Sequence, residues 1–394
     1  MIEHLVIGAL LTFLVVIAIG IIVLRDLLAA VVLLGLYSLV AAGAFIVMDA
    51  VDVAFTEAAV GAGISTILFL GALSFTSHEQ KPRGNDSIVA AVFVVITGAL
   101  LIYGTLDMPH YGSAASPAQT HPELAVRFIE RSAGEVGPPN LVTSVLGSYR
   151  GYDTLGETVV VFAAGIAVLS LLGLRRRGSP GNLPPEAPGS APGLTPVPAP
   201  HDPAAETSGA IDPATGPRRY ARQRHRVLQV VTKLIVPFVL LFALYVQFHG
   251  DYGPGGGFQA GVIFASAFIL HGLIFGLQRT RQVMPPSVVR MLMAGGVLIY
   301  GGTGAVTMLL GGNLLDYDVL AHDPLHGQHW GLFAIELGVG VTVTGVMISL
   351  FYAFASRRSD DREPARDADG STPTGATTGA GGTPRAGDAS TPGA

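Results

Sequence analysis

Four ionisable side chains lie in or at the edges of long apolar stretches, where a charge is costly. They are Glu57, Glu157, Lys233 and Glu336. A charged side chain inside a bilayer costs roughly 2–3 kcal/mol or more, so such residues face protein or water rather than lipid. Carboxylates and amines in that setting bind and release protons or cations. We therefore expect an ion or proton path that uses these four residues.

Glu57 is followed by small and hydroxylated residues, in the order Gly61-Ala62-Gly63-Ile64-Ser65-Thr66. Two interpretations compete. One is a functional acid that faces protein, which the small neighbours favour over a lipid-facing position. The other is an idle, solvated carboxyl group near the membrane boundary, because Asp52 marks the start of the helix only a turn and a half earlier.

Glu157 and Lys233 each have a structural alternative. Asp153 or Thr154 is a plausible helix N-cap, which would place Glu157 in the first turn, where the helix dipole favours an acid. A cap and a proton site are equal interpretations of that residue. Lys233 lies about two turns into an apolar stretch, so it either snorkels to the interface or joins a polar site near the carbonyl that Pro237 leaves free.

Glu336 also lies about two turns into an apolar stretch. Because glutamate is too short to snorkel far, we expect it to be buried, and either paired or protonatable.

A glycine-rich segment separates two apolar stretches. Neither flank is a strand and no Gly-Lys-Ser/Thr follows, so it is not a phosphate-binding loop. It predicts a tight turn that needs glycine, since a plain helical hairpin would not require so many in a row. The residues expected to shape this turn are His249, Asp251, Pro254, Gly255, Gly256, Gly257 and Phe258.

Three histidines, His322, His326 and His329, have spacings that could hold a metal ion. Pro324 and Gly327 interrupt the segment, so a helical metal site is not expected. We interpret the three as solvent-exposed loop residues and predict no metal site.

The composition places the four ionisable residues in a membrane protein. The 394 residues are 50% hydrophobic and 13% charged, whereas soluble domains carry about 25% charged residues. The net charge of −5 and the short basic clusters argue against nucleic-acid binding. The absence of cysteine excludes disulfides, thiolate metal sites and cysteine-ligated iron–sulfur clusters in this chain, and we expect no cofactor.

The fold class that follows is all-α, with about nine transmembrane helices in two bundles joined by a disordered linker. Each apolar run is near the twenty residues that a hydrocarbon core of about 30 Å requires. The predicted spans are Leu5–Leu24, Leu27–Met48, Val53–Phe75, Ile88–Leu106, Leu155–Leu174, Val227–Phe248, Phe258–Leu277, Val288–Leu310 and Trp330–Ala355.

The spans group into domains around two Pro-, Gly- and Ala-rich segments, whose composition predicts disorder. The expected units are a three-helix domain at 1–86, a two-helix domain with a long external loop at 87–177, a linker at 178–224, a four-helix domain at 225–356 and a tail at 357–394. Arginine and lysine collect on one side of alternating spans, which predicts an external N-terminus and a cytoplasmic C-terminus.

Several strings resemble parts of Mrp-type multisubunit sodium/proton antiporters. The stretch around Glu57 is similar to a segment near the C-terminus of their large subunit, which is a separate small subunit in membrane-bound hydrogenases. The string Arg150-Gly151-Tyr152-Asp153-Thr154-Leu155-Gly156-Glu157 resembles the segment that follows it, which is like another small subunit of those hydrogenases. Pro254-Gly255-Gly256-Gly257-Phe258-Gln259 and Glu336-Leu337-Gly338-Val339 resemble the antiporter B subunit.

The resemblance implies a membrane subunit of a sodium/proton antiporter, with Glu57 and Glu157 at acidic positions that the family needs. It implies other polytopic antiporter subunits as partners, with Na⁺, H⁺ and membrane lipid, and no nucleic acid. One alternative is the ion-pumping arm of a membrane-bound hydrogenase or a complex I-like oxidoreductase. Another is a scaffold in which the acids act as caps. The long antiporter-like portion that precedes these segments in the family is absent, so we do not expect transport by this chain alone.

Overall fold

The structure is a computed structural model that describes residues 2–73, 79–80, 86–110, 112–177 and 216–360. Within these residues the regular elements are helices, together with one isolated β-bridge between Asp26 and Glu79. The all-helical class predicted from the apolar runs is therefore confirmed.

Ten helices organise the described residues. Those of the first half are α1 (Ile2–Val23), α2 (Leu27–Val47), α3 (Val51–Leu73), α4 (Asp86–Gly104) and α5 (Gly151–Arg177). Those of the second half are α6 (Gly216–His249), α7 (Gly257–Phe275), α8 (Leu277–Val283), α9 (Pro286–Leu309) and α10 (Pro324–Asp360). Further short helices, among them Arg127–Glu135, occupy the long connection between α4 and α5.

Eight of the described helices are long and apolar enough to cross a membrane, judged by length and composition. A ninth, shorter apolar helix covers Ile88–Gly104, where the fourth span was predicted. Charge-poor helices of this length satisfy their own backbone hydrogen bonds, which hydrocarbon requires.

Two predicted boundaries differ from the structure. Helix α6 begins at Gly216, inside the predicted linker at 178–224, and α10 ends at Asp360, inside the predicted tail at 357–394. The remainder of the linker, 178–215, and of the tail, 361–394, lies outside the described residues.

Helix α3 changes its winding along its length. It is α-helical at Val51–Glu57, π-helical at Ala58–Ile64 and α-helical again at Ser65–Leu73. The hydroxyl groups of Thr56 and Ser65 donate to carbonyl oxygens four residues earlier, at 2.9 Å and 2.5 Å. Such a π segment rotates the residues after it relative to those before it, and π irregularities occur frequently at functional sites.

The core lies along α10, which packs against α7 and α9. Glycines make these close approaches possible. Between α7 and α10, a Cβ at Gly261 would lie 2.6 Å from the Gly340 carbonyl oxygen. Between α9 and α10, a Cβ at Gly338 would lie 2.8 Å from the Gly296 carbonyl oxygen. Small residues at helix interfaces are the usual means of packing in membranes. Helix α5 packs on α9 and α10, and the π segment of α3 contacts α7, so the two halves of the chain touch each other.

Candidate functional site

A cavity of about 480 Å³ lies where the two halves meet, and three carboxylate residues line it. Asp52 comes from the start of α3, Glu157 from α5 and Glu336 from α10. Thr56, Thr143, Thr154 and Gln259 add polar atoms to a lining that is otherwise mainly apolar or glycine. The cavity has room for several water molecules, since one water occupies about 30 Å³ of the liquid.

Asp52 and Thr56 reach the cavity because they are four residues apart on one face of α3. Asp52 Oδ1 accepts a hydrogen bond from the backbone N–H of Gly255 at 3.3 Å. Thr56 Oγ1 accepts one from Gln259 Nε2 at 2.7 Å. These two bonds tie the start of α3 to the glycine-rich turn and to α7.

Glu336 lies under the glycine-rich turn. A Cβ at Gly250 would lie 3.1 Å from Glu336 Oε2, and one at Gly256 would lie 3.4 Å from Glu336 Oε1. Gly256 has φ of +107°, a backbone conformation that favours glycine. A Cβ at Gly257 would overlap the carbonyl oxygen of Glu336. The consecutive glycines therefore let the backbone of the turn approach the carboxylate and helix α10.

The turn is also fixed to the connection between α4 and α5. Asn140 Nδ2 donates to the carbonyl oxygens of Gly250 and Gly253 at 2.9 Å and 3.0 Å. Thr143 Oγ1 donates to Gly250 O at 2.6 Å. The predicted tight turn at these residues is thus held by bonds from the other half of the chain.

Glu157 lies in the second turn of α5, which corrects the predicted cap. The helix begins at Gly151, one residue after the π-helical turn Ser144–Tyr149, so Asp153 and Thr154 are inside it. The Asp153 carboxylate pairs with Arg150, with 2.6 Å between Arg150 Nε and Asp153 Oδ2.

The start of α5 is anchored to the second half of the chain by two buried tyrosines. Tyr300 OH donates to Gly151 O at 2.8 Å, and Tyr317 OH donates to Gly147 O at 3.1 Å. These bonds fix the start of α5 relative to the second half of the chain, and they thereby help to position Glu157 in the cavity.

Glu57 is not among the residues that line this cavity. Five residues at 3.6 per turn place it about 140° around the helix from Asp52. It is half-buried, and its Oε1 would lie 2.8 Å from a Cβ at Gly61, a position that Ser38 of α2 also crowds. Glu57 thus faces the side of α3 that packs on α2, immediately before the π segment.

Lys233 is also separate from the acids. It lines a second cavity, between α6, α7 and α8, together with His271 and Arg279. Its Nζ lies 5.9 Å from the centre of the Phe275 ring.

The predicted histidine loop is partly helical. Helix α10 begins at Pro324, since proline is well tolerated in a first helical turn, and so includes His326 and His329. Their side chains are 71% and 54% exposed. Among the described residues no group of three His, Asp or Glu side chains could hold a metal ion.

His329 pairs with a residue of the glycine-rich turn. Its Nδ1 lies 3.4 Å from Asp251 Oδ2. Burial raises the pKa of Asp251 above its ordinary value, while the adjacent His329 acts to lower it.

The lining of the first cavity contains no lysine or arginine among the residues that the structure describes. A site with carboxylate, hydroxyl and amide oxygens and no basic residue attracts cations, and hard cations prefer oxygen ligands. The same carboxylates can exchange protons with water in the cavity.

The cavity brings Glu157 and Glu336, which the sequence analysis named as candidates, together with Asp52, Thr56 and Gln259, which it did not. The signal for Asp52 and Thr56 was their spacing of four, which places both on one helix face. No local signal marks Gln259, because its partner Thr56 is 203 residues away.

Family models match three successive parts of the chain. A model described as a domain related to the MnhB subunit of Na⁺/H⁺ antiporters matches residues 227–349. The models MbhD and MbhE, which describe two subunits of MBH, match residues 12–78 and 82–184. The putative antiporter subunit mnhB2 of Staphylococcus aureus strain Newman is 38% identical over 136 residues, which are 34% of this chain and 96% of that protein.

The chain belongs to the MnhB family of Na⁺/H⁺ antiporter subunits. The mnhB2 protein of S. aureus strain JH1 shows the same identity and coverage. The MnhB-related part supplies most of α6 to α10, and hence Gln259, Glu336 and the glycine-rich turn, whereas Asp52 and Glu157 come from the parts that match MbhD and MbhE. The chain is a fusion of regions related to separate subunits.

A solved structure of the Mrp complex from Dietzia sp. DQ12-45-1b contains a similar chain. The TM-score is 0.64 at 22% identity, with 88% of the present chain covered. The match spans about a third of the solved chain, 34%. At this identity the similarity establishes the fold.

Proposed function

We propose that this MnhB-family protein contributes the cavity between its two halves to the ion or proton path of a multisubunit Na⁺/H⁺ antiporter. The observation that carries the proposal is the convergence of Asp52, Glu157 and Glu336 on one cavity whose described lining has no basic residue. Intramembrane acids that face a cavity are the usual elements of proton relays and cation pathways.

The three acids have different surroundings, as a relay that passes a proton or cation from one carboxylate to the next requires. Glu336 lies beneath the glycine-rich turn, Asp52 accepts a backbone N–H, and Glu157 is exposed in the isolated chain. We infer that Glu157 marks the open side of the cavity, towards a neighbouring subunit or water. An ion or proton would then pass between Glu157 and the more enclosed pair.

Glu57 belongs to the same proposal as a separate acidic position. It directly precedes the π segment Ala58–Ile64, and it faces α2 rather than the cavity. A proton that leaves the cavity would need a further acceptor within the membrane, and Glu57 supplies one. The proposed path leaves out Lys233, because that residue lines a different cavity.

The proposal includes other polytopic antiporter subunits as partners, with Na⁺ and H⁺ as the ions moved and membrane lipid around the spans. The fold similarity to the Mrp complex chain supports the assembly. We propose an external N-terminus and a cytoplasmic C-terminus, because the basic clusters fall on one side of alternating spans. The protein is then a secondary transporter subunit without an enzymatic step.

The matches to MbhD and MbhE favour a second candidate, the membrane arm of a redox-driven pump. The match to mnhB2 over 96% of its length favours the antiporter. Identification of the proteins that copurify with the chain separates the two: iron–sulfur or nickel subunits would establish the redox-driven pump.

The test of the path is antiport by the whole complex in everted membrane vesicles, measured as Na⁺-dependent dissipation of a pH gradient. Glu336→Gln, Glu157→Gln and Asp52→Asn should each lower activity by on the order of tenfold or more, equivalent to about 1.4 kcal/mol in a barrier. Glu130→Gln is the matched control, because Glu130 is exposed in the helix Arg127–Glu135 and away from the cavity lining. Wild-type activity in all three variants at equal complex abundance would refute the proposal.

A further inference from the structure

A second cavity, of about 460 Å³, lies between α6, α7 and α8. Three basic side chains line it, Lys233, His271 and Arg279, and none of the described lining residues is acidic. The charge of this cavity is therefore opposite to that of the acidic cavity. Its ligand should be an anion.

The cavity lies at the ends of two candidate membrane spans. Helix α7 ends at Phe275, and Arg279 follows it in α8, outside the spans. Lys233 is about 10 Å along the helix axis from Arg226, the first residue of the span in α6, at about 1.5 Å per residue. A lysine at this depth reaches the headgroup region of a bilayer by extending its long side chain along the helix.

His271 is already engaged within the protein through one ring nitrogen. Its Nδ1 lies 2.8 Å from Thr280 Oγ1, and that hydroxyl donates to Gly276 O at 3.1 Å. Since the hydroxyl proton is used there, Thr280 Oγ1 accepts from His271 Nδ1–H. In the neutral ring Nε2 then carries no proton, so the charged contacts to an anion come from Lys233 and Arg279.

The rest of the surroundings is apolar. Val236 and Phe275 line the cavity beside Lys233. Val283 also lines it, and 63% of its surface is exposed in the described chain. A small inorganic anion would leave these apolar groups without contacts, whereas acyl chains attached to the anion would cover them.

We propose that this cavity binds the phosphate headgroup of an anionic phospholipid, with Lys233 and Arg279 as the charged contacts and the acyl chains along the exposed apolar face. Basic pockets between helices at the membrane boundary bind phospholipid headgroups in this way. The role thereby assigned to Lys233 is separate from the ion path. Nothing in this inference depends on the acidic cavity.

The experiment measures lipid retained by the purified complex after exchange into phosphatidylcholine nanodiscs that contain a minority of phosphatidylglycerol. Native mass spectrometry counts phosphatidylglycerol per complex. Lys233→Gln and Arg279→Gln should each weaken retention about fivefold. Arg290→Gln is the matched control, because Arg290 is an exposed arginine of α9 outside the cavity lining. Equal retention by all variants would overturn the proposal.

Two further arms complete the test. The charge-preserving pair Lys233→Arg with Arg279→Lys should retain phosphatidylglycerol, and loss of lipid there as in the glutamine variants would show that charge is not the cause. Excess inorganic phosphate should leave retention unchanged in the wild type. If excess inorganic phosphate displaces phosphatidylglycerol from the wild-type complex, the cavity is a free-anion site and the lipid assignment is wrong.

Discussion

Gln259 Nε2 donates a hydrogen bond of 2.7 Å to Thr56 Oγ1 and so joins α7 to α3 across 203 residues of sequence. Thr56 in turn donates its hydroxyl proton to Asp52 O at 2.9 Å. Gln259 is only 7% exposed, so its amide has little access to water as an alternative partner. The bond therefore couples the MnhB-related part of the chain directly to the start of the helix that carries Asp52.

Thr56→Val should destabilise the packing between the two halves by about 0.6–1.7 kcal/mol, from the average to the maximum that double-mutant cycles give for hydrogen bonds between membrane helices. The substitution keeps the shape of the side chain but leaves the Gln259 amide without its acceptor. The change in the free energy of unfolding is measured on the purified chain by titration with a denaturing detergent. Thr303→Val serves as the control, because the Thr303 hydroxyl donates at 2.9 Å to Ile299 O of its own helix. Equal losses in both variants would contradict a bond between the halves.

The sequence predicts the helices well and their mutual arrangement poorly. Runs such as Leu27–Met48 identify a span directly, because hydrocarbon thickness fixes the length of an apolar helix. The N-cap expected at Asp153 or Thr154 was wrong because α5 already begins at Gly151, one residue after the helical turn Ser144–Tyr149. Nor does any local pattern bring Asp52 to Gly255, since that bond depends on how the halves pack.

Gly257→Ala should disturb the glycine-rich turn and lower both the abundance and the stability of the complex. The added Cβ would overlap the carbonyl oxygen of Glu336 and lie 2.9 Å from its carbonyl carbon, so backbone must move. Overpacking of this kind typically costs about 1–3 kcal/mol. Complex abundance and the melting temperature of the purified complex measure the effect.

Gly295→Ala is the matched control for that substitution. A Cβ at Gly295 meets no heavy atom within 4 Å, and alanine is favoured over glycine inside a helix by roughly 0.5–1 kcal/mol. This variant should be as stable as the wild type or slightly more so. If Gly257→Ala behaves like Gly295→Ala, the close approach of the turn to α10 is not required.

His329→Gln should shift to higher pH the loss of folding stability that accompanies ionisation of Asp251. Burial raises the folded-state pKa of Asp251, and His329 lowers it by charge and by hydrogen bonding, at 3.4 Å between Nδ1 and Oδ2. A carboxyl group whose folded pKa exceeds its unfolded value binds more protons when folded, so stability falls as pH rises from the unfolded pKa through the folded one. Removal of the imidazole raises the folded pKa further, and the decline should then extend to higher pH. Melting temperature measured across the acidic pH range tests this.

His326→Gln is the control, because its partner Asp323 is 58% exposed and remains solvated. If the loss of stability moves to higher pH equally in that variant, the effect arises from general surface charge rather than from Asp251.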